Sequence, residues 1–391
     1  MNAGYEKEGR PRSMDEVWES HARRLAGAVV RPESRWYEPL STVPRHLFVP
    51  RWWVRGEGGR VVCDGPSDPA GWMRAAYRDR TLVTRVGPLH ADHAEPGAVV
   101  RGRTTSSSTL PSLVVTMYRY ASLDAGCRTL VTTGTGYGTA LLCRRIGAGQ
   151  VTSVDIDPYL VEAAGERLGF LGMYPHLAVA DLTQPLPDQY DRIVATVSVP
   201  RIPAGWLAAL RPGGRLVTTI SDTGLLIVAD KIDDGGATGH VAWERASFMS
   251  ARTGDDYPPS TLDAVFDTAT TADGEVTVSP LPVLDVAQAW EVWSMLTLTA
   301  AGIEHRTDTA DDGSRTVWMA HPDGSWARAR TPAGERTTTV HQGGPRRLYD
   351  LLEEIRWRWI EHGELPVYGA HVSITPNGTM TLSRQGWSAT L

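Results

Sequence analysis

The sequence predicts a doubly wound, Rossmann-like α/β sheet followed by a second, smaller α+β domain. Two neighbouring stretches carry this prediction. Residues Leu130–Leu142 (LVTTGTGYGTALL) run from an apolar strand through a glycine-rich turn into a helix. Residues Val151–Asp157 (VTSVDID) form a second strand that ends on the carboxylate of Asp155. This order of strand, glycine-rich turn, helix and acid-terminated strand is typical of a βαβ unit that binds a nucleoside.

Helical elements are expected before the glycine-rich turn. The pattern Ser13-x-x-Glu16 is typical of a capping box, and apolar residues follow it at helical spacing. Residues 72–86 lead toward a short strand. Residues 102–120 begin as a Thr/Ser loop and become a helix near Pro111, because proline suits the first turn of a helix. Residues 1–12 are polar and are expected to be a disordered leader.

Further strands are predicted beyond this unit. Val179–Asp181 ends a third strand on an acid, and the apolar run Tyr190–Val199 suits a buried parallel strand. Leu210–Ile220 (LRPGGRLVTTI) is interpreted as a helix end, a Pro-Gly-Gly turn and another strand. His240–Arg252 is interpreted as the last strand or strands. The main domain is therefore predicted over residues 13–254.

The character of the sequence changes after this domain. Residues 255–274 are interpreted as a linker and residues 275–391 as an α+β domain. Its predicted elements are, in order, a helix at Leu284–Thr299, strands joined by turns at Pro322-Asp323-Gly324 and Pro332-Ala333-Gly334, an amphipathic helix at Arg346–Glu364 and a hairpin around Pro376-Asn377-Gly378. Trp357 falls opposite the apolar face of the amphipathic helix, where it must meet a second surface or solvent.

The spacing of the glycines bears on which nucleoside is bound. A dinucleotide turn has the spacing G-x-G-x-x-G and places a pyrophosphate on a helix N-terminus. Gly134, Gly136 and Gly138 have the spacing G-x-G-x-G, which is more usual for S-adenosylmethionine, a ligand without phosphate. We therefore expect S-adenosylmethionine as the cofactor, with Asp155 on its ribose and Asp181 on its adenine. The neighbours predicted to complete this cofactor site are Thr133, Thr135, Ile156 and Leu182.

The composition argues against several function classes. A net charge of −6 argues against non-specific binding of nucleic acid, and no apolar run approaches the ~20 residues that span a membrane. Cys63, Cys127 and Cys143 are isolated and form neither a metal motif nor an obvious disulfide framework, which fits a reducing cytoplasm. His90-x-x-His93 has no acids or cysteines in a ligand pattern. We expect two solvated loop histidines there, and no metal site.

With these segments placed, the chain resembles the protein-L-isoaspartate O-methyltransferases. The resemblance covers roughly residues 40–254, and its motifs occur in the family's order. They are VPRHLFVP at Val43–Pro50, Ala-Tyr-x-Asp at Ala76–Asp79, the substrate loop that ends Thr109-Leu110-Pro111, the cofactor loop at Val131–Gly138 and YDRIVATVSVPRIP at Tyr190–Pro203. One departure is Thr132, which stands where most relatives have an acid. A second departure is the length, because residues 255–391 continue beyond the repair enzymes.

The long form is similar to methyltransferases associated with ribosomally made, modified peptides, notably those paired with ATP-grasp macrocyclases, and also with lasso peptides and lanthipeptides. This resemblance implies methylation of an aspartate in a cyclised precursor peptide, followed by collapse of the ester to an aspartimide, which can hydrolyse to isoaspartate. The C-terminal domain would recognise the peptide. The oligomeric state stays open, with a monomer favoured. The alternatives are a repair enzyme for isoaspartate and a nucleotide-binding protein without methyl transfer, for which Thr132 is the best support.

The chemistry implied by the resemblance needs no general base, because a carboxylate with a pKa near ~4 is already ionised at neutral pH. The carboxylate would displace the sulfonium methyl group in line, in a dry site that holds the two at attack distance. Thr109 is predicted to hydrogen-bond and aim the substrate carboxylate, with Ser107 and Ser108 as neighbours. The alternative for Thr109 is a helix cap, or both roles together. Arg252 is a further candidate for the substrate carboxylate, with a surface salt bridge as its alternative.

Overall fold

The computed structural model describes residues 14–186, 188–254, 256–257, 262–286, 288–363 and 367–391. The predicted leader at residues 1–12 and the predicted cap Ser13 lie outside these residues. The described residues form two compact units. The N-terminal unit runs to Thr196 and includes the described residues of Arg252–Tyr257, and the C-terminal unit contains the rest. This division differs from the predicted boundary at residue 254, because residues 197–251 associate with the C-terminal part of the chain.

Short strands and helices precede the main sheet of the N-terminal unit. In chain order they are α1 (Met14–Val29), α2 (Tyr37–Thr42), β1 (Arg51–Gly56), β2 (Gly59–Asp64), α3 (Pro69–Ala76), β3 (Leu82–Val86), β4 (Leu89–His90), β5 (Val99–Val100), β6 (Thr104–Ser108) and α4 (Pro111–Tyr120). The strands form an antiparallel sheet in the order β4-β3-β1-β2-β5, with β6 also paired to β3. The predicted Thr/Ser loop is wrong in this part, since Thr104–Ser108 is strand β6. The pairing with β3 comes from a distant segment, and local sequence does not indicate it.

The main sheet of the N-terminal unit is parallel. Its elements are β7 (Thr129–Thr132), α5 (Tyr137–Ile146), β8 (Val151–Asp155), α6 (Pro158–Phe170), β9 (His176–Val179) and β10 (Tyr190–Val199), whose last three residues belong to the C-terminal unit. The strand order is β10-β7-β8-β9. The order reverses at β7, which makes the carboxyl end of β7 the topological switch point where such sheets bind ligands. The predicted Rossmann-like α/β fold is confirmed.

The C-terminal unit begins with a short helix and three antiparallel strands. They are α7 (Ala204–Ala209), β11 (Leu210–Ile220), β12 (Leu226–Lys231) and β13 (Ala237–Val241). The predicted Pro-Gly-Gly turn is wrong, because β11 runs continuously through these residues. Strand β11 accommodates this proline and the two glycines because its pairing with β12 starts only at Arg215. The predicted last strand ends at Val241 instead of extending to Arg252.

The rest of the C-terminal unit holds a second antiparallel sheet and its helices. The elements are α8 (Asp263–Thr271), β14 (Glu275–Ser279), α9 (Trp290–Thr299), β15 (Glu304–Thr309), β16 (Arg315–Ala320), β17 (Trp326–Thr331), β18 (Thr338–Gly343), α10 (Leu348–Glu361), β19 (His371–Ile374), β20 (Met380–Arg384) and β21 (Trp387–Thr390). The five-stranded sheet has the order β14-β18-β17-β16-β15. The two predicted turns join β16 to β17 and β17 to β18. Leu348, Leu352 and Ile355 of α10 are buried, and Trp357 on its opposite face is 40 % exposed.

Two features of this unit differ from the predicted domain plan. Helix α8 lies within the predicted linker, where Phe266 and Ala269 are buried. The C-terminal hairpin of β19 and β20 forms as predicted, but β19 also pairs with β13, so that Val372 faces Gly239. The last three strands therefore extend the sheet of β11–β13, and residues 275–391 are not a separate module attached behind a flexible linker.

Candidate active site

The glycine-rich turn lies at the carboxyl end of β7, beside the end of β8. Its backbone is held by the N–H of Thr133, which donates to the carbonyl of Val154 at 2.9 Å. Gly134 has φ +51° and Gly136 has φ +90°, so both use the left-handed region that favours glycine. The N–H of Gly134 donates to the Asp155 carboxylate at 2.9 Å. The predicted turn and the predicted acid are therefore in direct contact.

The three glycines have different surroundings. A side chain at Gly134 would meet nothing closer than the carbonyl oxygen of Ser107 at 3.6 Å, so the space beside it is open. A Cβ at Gly136 would lie 2.9 Å from the Cβ of Ala164 in α6. A Cβ at Gly138 would lie 3.1 Å from the hydroxyl of Tyr118. Gly136 thus permits close packing of the turn against α6, and Gly134 is the glycine that leaves room for a ligand.

Asp155 at the end of β8 and Asp181 just after β9 offer hydrogen-bond acceptors at the carboxyl ends of neighbouring strands. Asp155 accepts from the N–H of Gly134 through one oxygen and from the N–H of Asp157, at 3.1 Å, through the other. Each carboxylate oxygen has a second acceptor position, so the group can still accept from two ribose hydroxyls. Burial raises the pKa of Asp155. Asp181 accepts from the N–H and hydroxyl of Thr183 through Oδ1. The nearby Ile156 is half-buried and Leu182 is buried.

A small recess lies between the glycine-rich turn and the predicted substrate loop. Residues of both segments line it. Ser107, Ser108 and Thr109 come from the predicted substrate loop, and Thr133, Thr135 and Tyr137 from the glycine-rich turn and the start of α5. Gly134 and Gly138 complete the wall on the cofactor-loop side. The structure therefore brings together the predicted substrate residues and the predicted cofactor turn.

Thr132, the position expected to depart from the family pattern, contacts the neighbouring strand through its hydroxyl. That hydroxyl bonds the hydroxyl of Thr196 in β10 and accepts from the N–H of Thr196 at 2.9 Å. Both residues line the recess. Thr132 and Thr196 therefore form a neutral hydroxyl pair between β7 and β10.

Arg45 holds the substrate loop, and the sequence reasoning did not identify this role. Arg45 belongs to the motif VPRHLFVP, and its side chain is fully buried. It donates to five backbone carbonyls, those of Ala76, Arg78, Arg80, Ser108 and Thr109, at 2.8–3.3 Å. Burial lowers the pKa of Arg45 to about 10, so it stays charged at neutral pH. The only available signal was its place in a family motif, which does not reveal that the charge is buried.

Thr109 does not cap helix α4. The residue at the N-cap position is Leu110, and its side chain makes no capping hydrogen bond. Residues distant in the sequence stabilise the first turn of α4. The carboxylate of Asp79 accepts from the N–H of Ser112 at 2.9 Å. The hydroxyl of Thr81 accepts from the N–H of Leu110 at 3.2 Å. The capping hypothesis for Thr109 is therefore wrong, and its half-buried side chain lines the recess.

A cluster of buried charged side chains surrounds Asp157, two residues after Asp155 at the end of β8. The carboxylate of Asp157 lies 3.0 Å from His90, 3.5 Å from Arg85 and 3.6 Å from Arg252, and all four side chains are at most 8 % exposed. Two expectations fail here. His90 is buried instead of solvated, and Arg252 forms no surface salt bridge. Burial raises the pKa of Asp157, but the hydrogen bond of His90 and the charges of His90, Arg85 and Arg252 lower it to about 2.

The comparisons with known proteins identify a family for this chain. A family model described as protein-L-isoaspartate(D-aspartate) O-methyltransferase matches residues 83–250. The protein-L-isoaspartate O-methyltransferase of Anaeromyxobacter dehalogenans strain 2CP-C is 38 % identical over 187 residues, which cover 42 % of this chain and 87 % of that protein. The chain belongs to the protein-L-isoaspartate O-methyltransferase family. Enzyme 2 of this name from Archaeoglobus fulgidus is 27 % identical over 55 % of this chain and 84 % of its own length.

Among solved structures, one named protein-L-isoaspartate O-methyltransferase aligns with 96 % of this chain and 99 % of its own, with 18 % identity and a TM-score of 0.48. Another, from Plasmodium falciparum and in complex with S-adenosyl-L-homocysteine, aligns with 60 % of this chain and 98 % of its own, with 14 % identity and a TM-score of 0.42.

Membership of this family makes the chain an S-adenosylmethionine-dependent carboxyl O-methyltransferase. The prediction of the cofactor is confirmed, and the alternative of a nucleotide-binding protein without methyl transfer is not retained. The residues present fit this cofactor, since Asp155 and Asp181 offer acceptors to the nucleoside and the open side of Gly134 faces the recess. No helix in the described part of the chain is long and apolar enough to cross a membrane. Among those residues, no group of three or more His, Cys, Asp or Glu could hold a metal ion.

Proposed function

We propose that the protein methylates the side-chain carboxylate of an aspartate in a modified, macrocyclic ribosomal peptide. The observation that supports a carboxylate as the methyl acceptor is the recess between the substrate loop and the glycine-rich turn. Ser107 and Thr109, two residues with half-buried hydroxyl side chains, line it. Hydroxyl donors suit an acceptor that is already ionised and needs to be oriented, not deprotonated.

In this proposal, S-adenosylmethionine supplies an electrophilic methyl group. Asp155 would accept from the ribose hydroxyls and Asp181 from the adenine amine, with Thr133, Thr135, Ile156 and Leu182 around the cofactor. The Thr109 hydroxyl would aim the acceptor carboxylate, which would take up the methyl group and leave S-adenosylhomocysteine as the second product. No proton moves in this step. The residues contribute by holding the two reactants in line and by excluding water.

The methyl ester explains a second, uncatalysed step. Methoxide leaves more readily than hydroxide, so the backbone nitrogen of the residue after the aspartate can attack the ester carbonyl. Methanol departs and an aspartimide remains, and hydrolysis of the imide then gives isoaspartate or aspartate. The enzyme need not take part after the methyl transfer.

The large C-terminal unit supports a shaped peptide as substrate. It presents exposed aromatic side chains, among them Trp357 at 40 % and Trp243 at 62 %, and aromatic residues are enriched where proteins bind peptides and proteins. In this proposal the C-terminal unit recognises the cyclised precursor peptide and the enzyme acts as a monomer. The three free cysteines support a cytoplasmic location.

The names of the relatives favour a second function, repair of isoaspartate in damaged proteins. The two functions differ in the acceptor. A linear peptide that contains isoaspartate and a macrocyclic peptide that contains aspartate, each with its Asp or isoAsp counterpart as a control, are incubated with S-adenosylmethionine. Mass spectrometry follows the gain of one methylene and then the net loss of one water. Methylation of the cyclic aspartate supports the proposal, and selective methylation of linear isoaspartate supports repair.

A further inference from the structure

Arg252 is a buried arginine of the N-terminal unit that the proposed function leaves without a role. The chain returns to this unit at Arg252, after strands β11–β13 of the C-terminal unit. The side chain is 8 % exposed, although arginine is among the residues least often buried. Its Nη1 donates to the carbonyl of Gly254, and its Nη2 lies 3.6 Å from the carboxylate of Asp157. A guanidinium enclosed in this way is held by the protein itself and is not presented to a substrate.

Asp157 links this arginine to the predicted ribose acceptor. The backbone N–H of Asp157 donates to Asp155 Oδ1 at 3.1 Å. The Oδ1 of Asp157 accepts from the N–H of Tyr159 at 3.1 Å, as the N-cap of α6. Its Oδ2 faces three basic side chains, which are those of His90 at 3.0 Å, Arg85 at 3.5 Å and Arg252 at 3.6 Å. The residue that orients Asp155 is therefore fixed by side chains from β3, from β4 and from the segment after β13.

The charges in this cluster matter for Asp155, because a ribose hydroxyl donates a stronger hydrogen bond to an ionised carboxylate than to a neutral acid. Burial raises the pKa of Asp155, and the N–H groups of Asp157 and Gly134 lower it. Of two nearby charges, Asp157 raises this pKa and Arg252 lowers it. Without basic neighbours, Asp157 would be a second negative charge beside Asp155, and like charges oppose ionisation. Arg252 therefore offsets the repulsion between the two carboxylates.

We propose that Arg252 is a positioning residue of the cofactor site: it holds Asp157, and Asp157 holds the carboxylate of Asp155 in line with the ribose hydroxyls of S-adenosylmethionine. The inference rests on the proposed role of Asp155 and goes beyond the proposed function, because it moves Arg252 from the substrate carboxylate to the cofactor. It also gives the segment that follows β13 a part in cofactor binding, which the glycine-rich turn and its acid do not indicate.

The test measures the affinity of Arg252→Gln for S-adenosylhomocysteine by calorimetry, at a temperature well below the unfolding transition. We expect the Kd to rise about tenfold, as for the misalignment of one hydrogen bond to a charged group. In steady-state assays the KM for S-adenosylmethionine should rise while the KM for the peptide stays unchanged. Arg252→Lys, which keeps the charge, should recover most of the affinity. The matched control is Arg215→Gln, because it breaks a partly buried ion pair with Asp230 and should bind S-adenosylhomocysteine like wild type.

Two results of these measurements contradict the inference. One is unchanged cofactor affinity in a folded Arg252→Gln. The other is a raised KM for the peptide with cofactor affinity intact, because Arg252 would then bind the acceptor. If the glutamine variant does not fold, Arg252→Met takes its place, since an unbranched apolar side chain suits a buried position, and the same tenfold loss is expected.

A double-mutant cycle tests whether Arg252 acts through Asp157. The loss of S-adenosylhomocysteine affinity caused by Arg252→Gln should be smaller in an Asp157→Asn background than in the wild-type background. Equal losses in the two backgrounds overturn the inference. Calorimetry with S-adenosylhomocysteine needs no peptide, so it decides the role of Arg252 even if neither test peptide is methylated. In that case only the proposed substrate fails.

Discussion

Arg45→Lys tests how the substrate loop is held in place. The guanidinium donates to five backbone carbonyls. A lysine keeps the charge but has only three N–H donors on one nitrogen. Arg45 reaches the five carbonyls with the four N–H groups of its two Nη atoms, so at one carbonyl per N–H a lysine leaves about two of the five without a donor. Two of the five belong to Ser108 and Thr109, so the loss falls partly on the wall that is proposed to aim the acceptor.

The expected magnitude follows from that count. Each buried acceptor left without a donor costs about 1–3 kcal/mol, so the variant loses about 2–6 kcal/mol of folding free energy. At about 1 kcal/mol per 2–4 °C, a central value near 4 kcal/mol lowers the unfolding midpoint by roughly 8–16 °C. The domain should still fold, since typical stabilities are about 5–15 kcal/mol.

Differential scanning calorimetry measures the midpoint, and initial rates at a temperature well below the transition measure kcat/KM. We expect kcat/KM to fall at least about tenfold in this folded variant, with S-adenosylhomocysteine affinity retained, because the hydrogen bonds of Arg45 go to carbonyls of residues 76–80 and 108–109 and none to Asp155 or Asp181. Arg192→Lys is the matched control, since Arg192 is a half-buried arginine that donates to the carbonyls of Ala121 and Asp191. An Arg45→Lys variant that melts and turns over like the control would refute the reasoning.

Three further predictions concern the acids and a histidine. Asp155→Asn should weaken S-adenosylmethionine binding about 10- to 100-fold by calorimetry, because an amide offers only one acceptor oxygen to the N–H groups of Gly134 and Asp157; unchanged affinity would contradict the assignment, and the exposed Asp124→Asn is its control. Asp157 has a folded pKa of about 2 and an unfolded value near ~3.9, so its stabilisation of about 2.6 kcal/mol is complete above pH ~5 and is lost as pH falls toward 2. The difference in midpoint between wild type and Asp157→Asn should therefore shrink in that window, and a constant difference down to pH 3 would argue against the ion cluster. Burial lowers the pKa of His305 to about 3 from ~6.5, so stability should decline as pH falls from 6.5 toward 3. Fluorescence of the C-terminal unit should follow this decline, since the ring of Trp293 lies 4.3 Å from His305, and His305→Leu should abolish that part of the dependence.

The sequence predicted the elements that local patterns determine. The turn at Gly134–Gly138, the acid at Asp155 and the hairpin around Asn377 depend on spacing and turn chemistry, which act over a few residues. The residues Ser107–Thr109 of the predicted substrate loop line the same recess as the glycine-rich turn. These features needed no knowledge of distant partners.

The features that sequence reasoning missed depend on distant partners. Arginine is mostly exposed in proteins, so nothing local indicated that Arg45 is enclosed by carbonyls from residues 76–80 and 108–109. His90 was expected in solvent because no acids or cysteines follow it in a ligand pattern, but it is buried and lies 3.0 Å from the carboxylate of Asp157. The strand Thr104–Ser108 is polar, and its pairing with β3 is what makes it a strand. In each case hydrogen bonds to residues distant in the sequence determine the structure, and the local sequence does not indicate them.

The way the last strands join the sheet determines how peptide recognition can be tested. Removing residues 275–391 would delete β19, which pairs with β13 from Ala237 to His240. The backbone groups of β13 would then form a new, unprotected sheet edge, which favours misfolding and aggregation. Loss of activity after such a truncation would therefore report damage to the sheet as much as loss of recognition. Substitutions of exposed side chains such as Trp357 and Trp243 leave the strand pairing intact, and only their effect on the KM of the peptide measures recognition by this unit.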